Sequence, residues 1–147
     1  MAGALTALVT LATASGCDSA PGERACTLVG ASSGVTADIP GKAGTAYRMC
    51  VDTRCDTRTA PADSRTGTGT GTGTTQTSLN VPLPDTIGAT EVTVHYTETP
   101  QGSTRPTLDQ TLPLTLTKGQ PNGPGCQPTV YQGRLTYTTG KGLTPRQ

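Results

Sequence analysis

Five cysteines and a single histidine are the residues through which this chain could do covalent or metal chemistry. A redox dithiol takes Cys-x-x-Cys spacing, in which one thiol is held at a depressed pKa. Cys50-Val51-Asp52-Thr53-Arg54-Cys55 does not have it. A zinc site needs four ligands in close pairs, and His95 is the only histidine available. Structural disulfides are the better use of these residues. With Cys17 set aside for lipid by its N-terminal context, four cysteines remain and allow three pairings. Cys50 and Cys55 flank a short turn and can face each other across it, which leaves Cys26 to pair with Cys126. Cys17 is then the odd one out, and no metal is expected.

His95 would need an orienting acid and a nucleophile to act as a general base. Glu91, Thr93 and Thr97 share its parity, but no Gly-x-Ser-x-Gly turn occurs. His95 reads as a solvated strand residue. The ten acidic residues lie mostly in turns rather than as a facing carboxylate pair. The repeated Asp-Thr-Arg at 52–54 and 56–58 reads as a charged hairpin, with a polar contact patch as its functional alternative. No catalytic residue and no cofactor are expected.

The elements that carry these residues are strands. About a fifth of the chain is Thr, with 19 Gly and 12 Pro and neither Phe nor Trp. Branched Thr suits a pleated, half-exposed surface, whereas Gly and Pro break helices and make turns. Alternation places strands at Gly34–Ile39, Thr45–Val51, Cys55–Thr59, Thr77–Leu83, Glu91–Thr97, Leu108–Leu116 and Val130–Thr138. In Glu91–Thr97, Val92, Val94 and Tyr96 face in while His95 faces out. About seven short strands between turns predict an all-β, antiparallel, immunoglobulin-like sandwich over residues 26–140, followed by a tail at 141–147. A small barrel is the alternative. The Thr/Gly run at 66–75 reads as a flexible loop. It lacks the Lys-Ser/Thr of a phosphate-cradling loop. With 32% hydrophobic residues the core is thin, and disulfides would supplement it.

The N-terminus reads as an address. Ala4–Ala14 is uncharged, mostly small or apolar, and shorter than the ~20 residues needed to span a bilayer. It fits the apolar region of a signal peptide, although Met1-Ala2-Gly3 supplies only the α-amino charge before it. Cleavage after Ala12-Thr13-Ala14 would release a soluble protein beginning at Ser15. Ala14-Ser15-Gly16-Cys17 resembles a lipobox, with Ala14 where Leu is more usual. Assigning Cys17 to lipid leaves an even set of cysteines, so residues 1–16 are expected to be a lipoprotein signal peptide. Residues 17–25 would form a tether and Cys17 would carry acyl chains such as palmitate, more than one being required for stable anchoring.

Cys26-Thr27-Leu28-Val29-Gly30, Gly34-Val35, the Cys50/Cys55 hairpin and Pro121-Asn122-Gly123-Pro124-Gly125-Cys126 together resemble a group of small actinomycete lipoproteins. The resemblance covers most of residues 26–138. It implies the sandwich fold and an extracytoplasmic compartment, and no activity.

A net charge of +1 gives no field that would attract nucleic acid. The expected function is a membrane-anchored extracytoplasmic lipoprotein, acting as a non-catalytic binding or structural envelope protein. Its expected partners are the membrane, through lipid on Cys17, and another envelope protein. The alternative is a secreted inhibitor of an extracellular protease that presents the 50–55 hairpin, since rigidity lowers the cost of binding. A hydrolase has no supporting motif. Glycan stacking would have to use Tyr47, Tyr96, Tyr131 or Tyr137, whose parities place most of them in the core.

Overall fold

The computed structural model describes residues 26–61, 75–88 and 90–146. The expected signal peptide, lipidated Cys17, tether and most of the Thr/Gly run lie outside the described residues.

Nine strands form two sheets, with no helix among the described residues. They are β1 (Gly34–Gly41), β2 (Ala46–Val51), β3 (Arg54–Thr59), β4 (Thr75–Pro82), β5 (Glu91–Thr99), β6 (Leu108–Thr115), β7 (Thr117–Gly119), β8 (Val130–Thr138) and β9 (Gly142–Pro145). One sheet runs β4-β1-β8-β7, with β9 also paired to β8; the other runs β3-β2-β5-β6. Alternation explains the core between them. Val35, Ala37 and Ile39 from β1 in the first sheet share the core with Tyr47, Met49 and Val51 from β2 and with Val92, Val94 and Tyr96 from β5, its neighbour in the second sheet. Each buried Val or Leu contributes about 1.5–3 kcal/mol.

Three features differ from the sequence expectation. The sandwich is not wholly antiparallel, because β1 and β8 pair in parallel with Val35 opposite Gly133. These strands are far apart in the chain, and only a long connection can bring parallel partners together. The expected strand Leu108–Leu116 forms as β6, but the chain does not end its pairing there. It crosses at Leu116 to the other sheet and adds the short strand β7, which the sequence reading lacked. Residues 142–145, read as part of a tail, form β9 against β8.

Side chains close the gaps between sheet edges. The Gln110 amide on β6 bonds Leu143 on β9 twice, accepting from its N–H and donating to its C=O, both at 2.9 Å. Asp56 on β3 accepts the Asn80 N–H on β4 at 2.9 Å. These bonds occupy edge groups that would otherwise be open to pairing with another chain. Gly133 is needed for packing, because a Cβ there would lie 2.6 Å from a Leu114 methyl and 3.2 Å from a Val35 methyl.

The two disulfides are Cys26–Cys126, spanning 100 residues, and Cys50–Cys55, spanning five. The chain-entropy model assigns about 4.7 kcal/mol to a loop as long as the first. Asn122 reinforces it, its side-chain carbonyl accepting the Val29 N–H at 2.6 Å and the Thr27 hydroxyl at 3.3 Å. The Pro-Asn-Gly-Pro-Gly-Cys stretch thus has a physical role in pinning the N-terminal segment.

Candidate functional site

The chemistry-bearing residues gather on the outer face of the β3-β2-β5-β6 sheet. Their positions follow from register. Cys50 stands opposite Cys55 on one side and opposite His95 on the other. The next rung carries Thr57, Arg48, Thr97 and Asp109 in order across the four strands. Every one of these side chains has the outward parity of its strand.

At the hairpin, Cys50 and Cys55 have Cα atoms 4.0 Å apart. The turn between them is held from β5. Asp52 takes a left-handed backbone with φ 51°, which Asp tolerates better than most residues. Its N–H donates to the Thr93 carbonyl at 2.9 Å, and its carboxylate accepts the Thr93 N–H at 3.1 Å. The hairpin therefore folds back onto the sheet. Asp56 accepts from Arg58 at 3.3 Å while also holding Asn80. The two Asp-Thr-Arg repeats are not merely solvated, because each Asp ties the hairpin to a different strand.

His95 Nε2 lies 2.7 Å from Asp109 Oδ1, with both side chains about half exposed. Arg48 Nη2 donates to Cys55 Sγ at 3.4 Å. The sequence placed His95 outward but did not identify Asp109 as its partner. Asp109 has outward parity in β6, yet the β5–β6 register that brings it to His95 is a tertiary fact. A His–Asp pair supplies orientation and charge for base catalysis. Among the described residues, no hydroxyl or thiol is hydrogen-bonded to the other ring nitrogen. The arrangement can donate and accept hydrogen bonds across a flat, Thr-rich, disulfide-braced surface. Among the described residues, no three His, Cys, Asp or Glu side chains are placed to hold a metal ion.

A second cluster lies inside the sandwich, on the same strand as His95. Glu98 is 2% exposed, accepts the Tyr96 hydroxyl at 3.0 Å and has the Tyr137 phenol beside it. Lys42 Nζ stands 3.8 Å away, and the Lys42 N–H donates to the Tyr47 hydroxyl at 2.6 Å. Burial, followed by the Glu98 charge and hydrogen bond, pushes the Tyr96 phenol far above its ordinary range. Burial and the neighbouring Glu98 carboxylate push Tyr137 up to about 12. Glu98 was missed because the predicted strand stopped at Thr97. One more step of the alternation would have placed it on the core face.

Among the described residues, no helix is long and apolar enough to cross a membrane. Comparisons with protein-family models, with curated proteins and with solved structures found no match.

Proposed function

We propose that the chain is a membrane-anchored extracytoplasmic lipoprotein of the small actinomycete type, whose domain serves as a non-catalytic binding or structural module of the envelope. In this reading residues 1–16 are a signal peptide, Cys17 is acylated, and the two sheets form an immunoglobulin-like sandwich. The observation that carries it is cysteine pairing. Cys26 pairs with Cys126 and Cys50 with Cys55, so Cys17 is the one cysteine left over from the five. Two disulfides suit an oxidising compartment, and an unpaired thiol there calls for another use.

The start of the domain supports the same reading. Leu28 is 99% exposed and Val29 52%, in a segment pinned by Cys126 and Asn122 just after the proposed tether. Apolar side chains held there would face an adjacent bilayer and add buried area to that of the acyl chains.

The test is intact mass, reduced and non-reduced, of protein taken from the membranes and culture medium of its producer. The expected species is in the membrane fraction, begins at an acylated Cys17 and gains two hydrogens per disulfide on reduction. A species found only in the medium and beginning at Ser15 would overturn the anchor. Inhibition of an extracellular protease by the purified protein would replace the binding role with the inhibitor reading.

A further inference from the structure

The outer face of the other sheet carries a feature that the anchor does not use. Two adjacent rungs cross it. One reads Thr117, Gln132, Gly34 and Pro82, and the next contains Arg134, Thr36 and Asn80. Arg146 extends that second rung, because its N–H donates to the Arg134 carbonyl at 2.9 Å just beyond the end of β9. Gly34 has no side chain, so the first rung is hollow at its centre. The result is a depression of about 160 Å³ floored by Gly34 and walled by Thr36, Asn80, Gln132 and Arg134. A second hollow of about 300 Å³ adjoins it, lined by Thr117, Gln132, Arg134 and Arg146. Gln132 and Arg134 line both, so the two hollows sit on either side of these β8 side chains and together form a divided groove.

The charges in this groove are of one sign. Like charges directly opposite across a strand pair are destabilising, yet Arg134 and Arg146 stand there together. Neither is in an ion pair with any described residue. Asp38 lies on this face one rung further along β1, where the Ser78 hydroxyl donates to it at 2.6 Å, and Asp56 is taken up with the Asn80 N–H at the β4 edge. An anion between the guanidiniums would remove their repulsion. A guanidinium fork pairs bidentately with carboxylate or phosphate, and the doubly charged phosphate of an ester can take a fork from each arginine. The hydroxyls and amides along the rest of the groove suit a hydroxylated neighbour.

We propose that this groove binds the phosphate of a polyol or sugar phosphate ester. Arg134 and Arg146 hold the phosphate, while Thr36, Asn80, Gln132 and Thr117 hold the adjoining hydroxyls. The inference rests on the reading of the domain as a binding module and names its ligand class. It is independent of the lipid on Cys17.

The test is a titration of the full chain with sn-glycerol 3-phosphate at low ionic strength, followed by amide resonances. Shifts are expected at residues 32–36, 80–82, 117, 132–134 and 146, and to saturate. Affinity should fall about tenfold or more in Arg134→Gln and in Arg146→Gln, since a charge-assisted hydrogen bond contributes about 1.5–3 kcal/mol. It should also fall as salt is added. Glycerol alone should shift nothing. Vesicles of phosphatidylglycerol that retain the protein through the same arginines would place the phosphate in a lipid headgroup. Saturable binding without vesicle retention would place it in a soluble or polymeric ester. No shift, or shifts that persist unchanged in both Gln variants with the rest of the spectrum intact, would overturn the groove as a site. The mass measurement on Cys17 would be untouched by that failure.

Discussion

Strand β5 contributes to two carboxylate-containing clusters, through His95 on its outer face and Glu98 on its inner one, and they behave as opposites. Outside, Asp109 meets His95 at 2.7 Å with both groups in water. Inside, three residues along the strand, Glu98 is closed off with the Tyr96 and Tyr137 phenols around it and Lys42 at its edge. The shorter contact is the weaker one energetically. Water already solvates His95 and Asp109, so their contact replaces good hydrogen bonds with others much like them. Glu98 has no such alternative, and without it the buried Tyr96 hydroxyl would stay unpaired in the interior. The outer pair is free to meet a ligand, while the inner one is committed to holding the end of the sandwich together.

The comparison can be broken most severely from the inside. Glu98→Ala leaves the buried Tyr96 phenol without an acceptor and should lower the unfolding free energy by about 3 kcal/mol in urea titration. Glu98→Gln keeps an acceptor oxygen and should lose markedly less. Equal losses in the two variants would mean that packing, not hydrogen bonding, governs the cluster.

The outer face contributes through its covalent brace more than through its charges. The Cys50→Ser/Cys55→Ser variant opens only a five-residue separation. Chain entropy for so short a loop predicts a loss of about 2 kcal/mol, readable as a lower denaturation midpoint. A loss matching that of a Cys26→Ser/Cys126→Ser variant would show that the hairpin holds more than its own loop.

Alkali sharpens the contrast without mutation. Tyr137 holds its proton in the folded state up to about 12, against an ordinary value of 10.0. Between those values the unfolded chain binds fewer protons than the folded one, so stability should fall as pH rises through the window. It should be fully present below about pH 10, the ordinary phenol range. Tyr96 is raised in the same direction and extends the loss upward. Thermal melts from pH 8 to 12 should show this decline, and Tyr137→Phe should flatten its lower part. That variant should cost about 1 kcal/mol at neutral pH, for the polar contact with Glu98 that it removes.

The smallest effect belongs to the exposed pair. Asp109→Asn should change stability by no more than about 1 kcal/mol, and added salt should shrink the difference further. A larger, salt-insensitive loss would mean that the outer pair is as structural as the inner one.

Much of this was legible in the residues themselves. A two-residue period survives any packing of the sheets, so Val35, Tyr47, Val94 and Leu114 could be assigned inward and His95 outward from spacing alone. The disulfide pairing followed from one tight turn and the count of the remaining cysteines once Cys17 was set aside for lipid. Asp109, Glu98 and Arg146 were not legible as members of clusters. Their partners lie on other strands, and alternation says which face a side chain takes but not which rung.

The sequence by itself determined the strand-rich composition, the in-and-out parity and the cysteine arithmetic, because these depend on local geometry and on counting. Only the tertiary structure decided that β1 and β8 run parallel, that the chain changes sheets at Leu116, and that residues 142–145 return as β9. Those outcomes decided where Arg134 meets Arg146, where Asp109 meets His95, and which end of the core encloses Glu98. Long-range register is set by how the two inner faces interlock and by edge bonds such as Gln110 to Leu143. No window of neighbouring residues contains that information.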